Sequence, residues 1–100
     1  MAQLHIVMVD VAAEDEEAFH RWYDETHLPD ILACPGWLSA RRFINLEGGP
    51  RFVAVYEITG PDAYETPEFH AIKGFGPFEG RVSNFTRLRL SPFGGQGVPG

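Results

Sequence analysis

The sequence is poor in cysteine, in basic residues and in long hydrophobic runs. Its one cysteine, Cys34, has no partner for a disulfide or for a paired redox or zinc site, which fits a reducing compartment. The apolar stretches are far shorter than the roughly 20 residues of a membrane span, and no basic N-terminal segment indicates a secretory signal. Eight Lys and Arg against 14 Asp and Glu leave a net charge of -6, the wrong sign for binding a phosphate backbone. We therefore expect a cytoplasmic protein that binds neither membranes nor nucleic acid.

The composition is that of an ordinary globular protein. The chain has 100 residues, of which 44% are hydrophobic and 22% charged, enough for one domain. We expect this domain to span residues 1–91 and to be followed by a flexible tail, 92–100, which has too little apolar content to pack firmly. Glycine-rich phosphate-binding motifs are absent from the start of both predicted helices, so the sequence predicts no nucleotide cofactor.

Hydrophobic patterning predicts four strands and two helices. A helix begins near Ala13, kinks at Pro29 and ends at Pro35 and Gly36, and a second begins at Pro67 after the N-cap residue Thr66. The strands are expected at Leu4–Val11, Trp37–Leu46, Arg51–Ile58 and Arg81–Leu90, the middle pair forming a hairpin. The order β-α-β-β-α-β predicts a ferredoxin-like α+β fold with one antiparallel sheet and both helices on one face.

Both faces of this sheet are apolar. The first strand carries Val7 and Val9 on one face and Leu4, Ile6 and Met8 on the other. The two helices can cover only one face, and the chain has no further element for the other. We therefore expect a homodimer in which two sheets pack face to face.

The first helix contains the most informative candidate residue, His27. Ala18, Phe19, Trp22, Tyr23 and Thr26 recur at helical spacing and predict a buried stripe. His27 follows Tyr23 by four positions, so it lies at the margin of that stripe and can point between helix and sheet. A half-desolvated imidazole beside a phenol can transfer protons near neutral pH. The alternative is a helix-terminal histidine that only binds backbone carbonyls.

The segment Trp22-Tyr23-Asp24-x-x-His27-x-Pro29, followed by Pro35-Gly36-Trp37-Leu38-Ser39-Ala40-Arg41-Arg42-Phe43, resembles the small EthD-like members of the dimeric α+β-barrel superfamily. The stretch 81–87 matches more loosely. The resemblance implies a dimer with one pocket per protomer between helices and sheet. It also implies chemistry by one or two histidines without metal or organic cofactor, as in related isomerases, cyclases and cofactor-free monooxygenases.

Other candidate residues complete the predicted site. The resemblance to the cyclases suggests His5 and His70 as further polar residues, His70 with a catalytic role. Tyr23 is expected to orient a substrate oxygen, although a core tyrosine is an equally ordinary explanation. Arg41, expected on the same strand face as Trp37, can bind a substrate carboxylate or enolate, or form a salt bridge. The walls of the pocket are expected to be Trp22, Trp37, Phe75 and Phe78.

Two competing sites are less favourable. His20, Asp24 and His27 are spaced along one side of a helix, but three ligands from one straight helix close poorly around a metal ion. Cys34 has no neighbouring cation to lower its pKa, so we expect an inert thiol.

These observations predict a cofactor-free enzyme that transfers protons on a hydrophobic, carbonyl-bearing small molecule, such as an aromatic-catabolism or polyketide-like intermediate. Isomerisation, cyclisation, dehydration and lyase chemistry all fit this description. His27 is the expected general acid/base, assisted by Tyr23 and His70. The alternatives are a non-catalytic protein that binds a small ligand on the same dimer, and a cofactor-free monooxygenase.

Overall fold

The strands and helices occur in the predicted order. The structure is a computed structural model that describes residues 2–95. Its strands are β1 (Gln3–Val11), β2 (Trp37–Ile44), β3 (Phe52–Ile58) and β4 (Val82–Leu90), and its helices are α1 (Glu16–Trp22), α2 (Leu28–Leu32) and α3 (Pro67–Ile72). The strands form one sheet in the order β2-β3-β1-β4, and every neighbouring pair is antiparallel. This is the ferredoxin-like α+β fold that the sequence predicts.

Helices α1 and α2 are joined without interruption by a π-helical turn, Tyr23–His27. The backbone N–H of Leu28 donates a hydrogen bond to the carbonyl of Tyr23, five residues earlier. In an α-helix the acceptor would be the carbonyl four residues earlier. The turn therefore takes in an extra residue, and this keeps side chains spaced by four residues on the same side. As a result Phe19, Tyr23, His27 and Ile31 are all buried.

The predicted helical stripe was partly wrong, because Ala18 and Thr26 were expected on the buried side and both are exposed. Ala18 precedes the π-helical turn and lies on the exposed side of α1, whereas Thr26 lies within the turn. The π-helical turn rotates the later residues, so that His27 lies fully within the buried side instead of at its margin.

Helix α3 begins as predicted. The side chain of Thr66 accepts a hydrogen bond from the N–H of Phe69 at 3.1 Å, and Pro67 occupies the first helical position. Short 3-10 turns at Pro61–Tyr64 and Gly76–Phe78 connect the remaining elements around this helix.

The helices cover one face of the sheet and enclose the core with it. Both the π-helical turn and the strands contribute aromatic residues, and Phe19 and Ile58 are completely buried. The opposite face, which we call the outer face, has no covering element among residues 2–95. Its apolar side chains are Leu4, Ile6, Met8, Phe43, Val53, Val55, Leu88 and Leu90.

The end of the chain lies only partly within the structure. Residues 91–95 form no regular element, and residues 96–100 of the predicted flexible tail lie outside the described residues. Between residues 2 and 95, none of the helices has the length and apolar character needed to cross a membrane.

Candidate active site

A cavity of about 510 Å³ lies between the helices and the helix-facing side of the sheet. The π-helical turn contributes one wall, strands β1, β3 and β4 the floor, and α3 with the loop after it the rim. Much of its lining is aromatic or polar. The lining residues used below are His5, Tyr23, His27, Trp37, Tyr56, Tyr64, Glu65, His70, Lys73, Phe75, Arg87 and Arg89.

His27 presents its imidazole to this cavity. The ring stacks on Trp22 with centroids 4.6 Å apart and meets the ring of Tyr23 edge-on at 5.1 Å. No group among residues 2–95 forms a hydrogen bond with the ring. Every fully buried side-chain nitrogen in this part of the chain has a hydrogen-bond partner, so the unpaired ring nitrogens of His27 must be accessible, and they open onto the cavity. Burial lowers the pKa of His27 to about 4, although the carboxylate of Asp30 acts in the opposite direction. The imidazole is therefore neutral at pH 7.

Tyr23 and Tyr56 form a pair of hydroxyl groups beside His27. Their oxygens are 2.9 Å apart and share a buried hydrogen bond. Burial raises the pKa of both phenols, so both stay protonated at neutral pH. Two hydroxyls carry two protons and their mutual bond uses one, so the other remains available for a ligand oxygen.

A second histidine lies on the far side of this pair. The Nδ1 atom of His5 hydrogen-bonds the hydroxyl of Tyr64 at 2.8 Å, and its ring lies 5.4 Å from that of Tyr56. Burial lowers the pKa of His5 to about 4, and the cationic Arg87 and Arg89 act in the same direction. The cavity is thus lined by two neutral imidazoles, of which His27 contacts Tyr23 and His5 contacts Tyr56.

Six of the nine site residues predicted from the sequence line the cavity, namely His5, Tyr23, His27, Trp37, His70 and Phe75. His70 is exposed and lies at the rim on α3. Trp37 is fixed by a hydrogen bond from its indole N–H to the carbonyl of Ala63 and by stacking on Phe69.

Trp22 and Phe78 lie behind the cavity and are not part of its wall. Trp22 covers the far face of the His27 ring, and Phe78 packs against Trp22 at 5.7 Å and Phe19 at 5.4 Å. Both therefore support the position of His27 through packing.

The prediction that Arg41 shares a strand face with Trp37 was wrong. A β-bulge between Trp37 and Ser39 shifts the register of β2 against β3, so that Trp37 faces the helices while Arg41 lies on the outer face. Arg41 is exposed there, with its guanidinium 5.5 Å from the ring of Phe43, and it does not line the cavity.

The cavity residues that were missed as site candidates include Tyr56, Tyr64, Arg87 and Arg89. Tyr56 alternates with apolar residues in β3 and looked like an ordinary core residue. Arg87 and Arg89 are two residues apart in β4 and therefore project from the same face, but only the pairing of β4 with β1 places them beside His5.

The residues of the two competing sites do not converge. His20 and Asp24 both contact Arg42, at 3.0 and 3.1 Å, and neither lines the cavity. The thiol of Cys34 is buried and donates to the carbonyl of Asp30, and burial raises its pKa. Within residues 2–95, no three potential ligand side chains are close enough to hold a metal ion.

Comparison with known proteins identifies the fold but no close relative. No protein-family model and no curated protein matches the chain. A haem degrader from Mycobacterium tuberculosis, solved with two haems in its active site, is 13% identical with a TM-score of 0.65, over 95% of this chain and 99% of that one. A protein of Nitrosomonas europaea assigned as an antibiotic biosynthesis monooxygenase is 15% identical with a TM-score of 0.68, over 96% and 94%.

An ethyl tert-butyl ether D (EthD) family protein from Bacillus halodurans is as similar in structure to this chain as the Nitrosomonas europaea protein. It is 17% identical with a TM-score of 0.68, and the match covers 93% of this chain and all of that one. The resemblance to EthD-like proteins found in the sequence therefore extends to the whole fold. This chain has the ferredoxin-like fold of the dimeric α+β-barrel proteins, with a histidine- and tyrosine-lined cavity between its helices and its sheet.

Proposed function

We propose that this protein is an enzyme that moves protons on a hydrophobic, carbonyl-bearing small molecule without a cofactor. The observation that carries the proposal is the His27 imidazole, which is neutral at pH 7, held by stacking on Trp22, and open to the cavity at its ring nitrogens. A neutral imidazole in this position can accept a proton from a bound molecule.

In the proposed reaction, His27 removes a proton from the carbon next to the carbonyl group. The electron pair of the broken C–H bond moves to the carbonyl oxygen, which takes a hydrogen bond from the hydroxyl pair of Tyr23 and Tyr56. The imidazolium then returns the proton to another atom of the same molecule, which gives isomerisation, cyclisation or elimination. His70 at the rim is proposed to assist this second transfer.

The low pKa of His27 has a consequence for this mechanism. A base with a pKa of about 4 is weak, but a negative charge developing nearby favours the imidazolium and raises that pKa. The enolate oxygen beside Tyr23 supplies this charge. The base therefore becomes stronger as the reaction proceeds, and in the substrate-free protein it stays unprotonated.

We also propose that two copies of the chain pair through the outer face. This face carries eight apolar side chains, and none of the elements in residues 2–95 covers it. Soluble monomers rarely expose an apolar patch of this extent. A second copy supplies a sheet of the same width and character, and the resemblance to dimeric α+β-barrel proteins supports that occupant.

Oxygenation of an electron-rich phenol is a second candidate for the same cavity. It is favoured by the monooxygenase assignment of the Nitrosomonas europaea protein, which shares the fold. The two reactions differ in oxygen consumption, since proton transfer uses none. A third outcome, binding without turnover, would make the chain a ligand-binding protein.

Deuterium exchange tests the proposal without knowledge of the natural substrate. The wild-type protein is incubated in D₂O with a panel of aryl ketones and aryl keto acids, and mass spectrometry measures deuterium gain at the α-carbon. We expect accelerated exchange for some panel members and a loss of about 10²- to 10⁴-fold in H27Q. The matched control is H20Q, which changes a histidine of helix α1 that does not line the cavity. No exchange, or equal exchange in H27Q, contradicts the proposal.

A further inference from the structure

We infer that the cavity binds an organic acid, with Arg87 and Arg89 holding the carboxylate at the end of the cavity opposite His27. The inference rests on the proposed function because it concerns the same site. It adds the charge of the substrate and the direction in which the substrate binds. His27, Tyr23 and Tyr56 are uncharged at neutral pH, so none of these three can form an ion pair with a carboxylate.

The two arginines are placed on the cavity side by strand pairing. Arg87 pairs with Val7 and Arg89 pairs with His5, and both partners face the helices. Residues two apart on a strand project from the same face. Their guanidinium carbons lie 5.9 and 4.9 Å from the ring of Tyr64, so the two groups stand side by side over one aromatic residue.

Arg87 and Arg89 take part in none of the ion pairs among residues 2–95. Four of the eight basic residues form ion pairs within residues 2–95, and none of the four lines the cavity: Arg21, Arg42, Arg51 and Arg81. Three of the other four, namely Lys73, Arg87 and Arg89, line the cavity. In a chain with 14 acidic residues, cations without a protein partner are available for a ligand.

The cavity contains little charge that would oppose an anion. Glu65 is the one acidic residue in its lining, and it forms no ion pair with the arginines. His5 and His27 are neutral at pH 7, and the tyrosines are protonated. A guanidinium binds a carboxylate through two parallel hydrogen bonds, which makes Arg the suitable residue type for this ligand group.

The order of the lining residues gives the ligand a direction. A chain of pairwise contacts connects His27 to Arg89. It passes from His27 to Tyr23 (rings 5.1 Å apart), to Tyr56 (hydroxyls 2.9 Å apart), to His5 (rings 5.4 Å apart), to Tyr64 (hydrogen bond of 2.8 Å) and to Arg89 (guanidinium 4.9 Å from the ring). Neither arginine contacts His27 directly in this chain of contacts, so we infer that the carboxylate and the reacting carbon bind at its two ends. A substrate that reaches both has an apolar body with an acid group at one end and a carbonyl group towards the other.

Binding of two probes that differ only in charge tests this inference. Isothermal titration calorimetry is used with 2-naphthoate and with 2-naphthamide, which has the same ring system and no charge. We expect wild-type protein to bind the naphthoate about tenfold or more tightly than the amide. The variant R87Q/R89Q is expected to lose this preference and to keep its affinity for the amide. The matched control R41Q, on the outer face, is expected to keep the preference.

A salt series provides a second readout that needs no variant. Rising ionic strength is expected to weaken naphthoate binding by wild-type protein and to leave amide binding unchanged. Three outcomes would each overturn the inference. They are equal affinity of the wild-type protein for the two probes, a preference for naphthoate that persists in R87Q/R89Q, and no naphthoate binding at millimolar concentration. The proton-transfer proposal fails separately: H27Q is expected to retain the naphthoate preference, whatever its effect on deuterium exchange.

Discussion

The hydroxyl oxygens of Tyr23 and Tyr56 lie 2.9 Å apart, in a buried hydrogen bond that joins the π-helical turn to strand β3. The same bond closes the core beneath the cavity and aligns the hydroxyl pair beside His27. Arg42 covers the ring of Tyr23 at 4.6 Å, so the position of that ring is fixed from a second side. Stability and site geometry therefore depend on the same contact.

A double-mutant cycle on this pair is expected to show strong coupling. Y23F or Y56F alone leaves the partner hydroxyl buried with one bond fewer, which lowers the free energy of unfolding by about 1–3 kcal/mol. The double variant removes both hydroxyls and is expected to cost little more than either single change. Urea unfolding measures the four free energies, and additive effects would contradict a shared hydrogen bond.

Acid is expected to destabilise the protein between about pH 6.5 and pH 4. The folded-state pKa of His5 and of His27 is about 4, below the ordinary value of 6.5, so in this window the unfolded chain binds more protons than the folded chain. The stability that these groups contribute is complete above pH 6.5 and is lost as the pH falls through 4. Urea unfolding at fixed protein concentration is expected to show a steeper pH dependence for wild-type protein than for H5Q or H27Q. Equal slopes would contradict the burial of neutral imidazoles.

The loop after α3 is expected to control the position of Trp22. Gly76 has a φ of +49°, and a Cβ atom added there would lie 2.9 Å from the Trp22 ring that stacks on His27. G76A is therefore expected to displace the indole and to shift the tryptophan fluorescence. The control is G80A, because Gly80 has a similar positive φ of +81° and no atom within 4 Å of the added Cβ. Equal effects of the two changes would show that backbone strain alone is responsible.

The assembly is expected to be a dimer with twice the 11.2 kDa chain mass. I6K places a charge on the outer face and is expected to give monomers in light scattering, at unchanged circular dichroism, because the lysine cannot be buried between two sheets. L46K, at a position that is 89% exposed, is expected to remain dimeric. A wild-type monomer would contradict the proposed pairing.

The fold could be predicted because each of its elements has a local signal. Alternating residues marked the strands, and Thr66 followed by Pro67 marked the start of α3. The helix–sheet arrangement then followed from the order of elements, since short connections leave few topologies.

The site could be predicted only in part because its remaining features are not local. The bulge at Trp37 moved Arg41 to the other face, and a bulge has no reliable signal in a single strand. The π-helical turn altered the phase of the helix from Tyr23 onwards. Tyr56 and the two arginines of β4 join the site through strand pairings, and Tyr64 joins it through a hydrogen bond to His5. All of these contacts link residues distant in sequence, which no local pattern specifies.

Titration of His27 by nuclear magnetic resonance tests the central claim most directly. The ¹⁵N and ¹H shifts of its imidazole, assigned with H27Q, report its protonation state in the folded protein as the pH is lowered. We expect a neutral ring at pH 7 and a midpoint near the pKa of about 4 that burial imposes. A midpoint near 6.5 would place the imidazole in bulk water and contradict a desolvated base in the cavity.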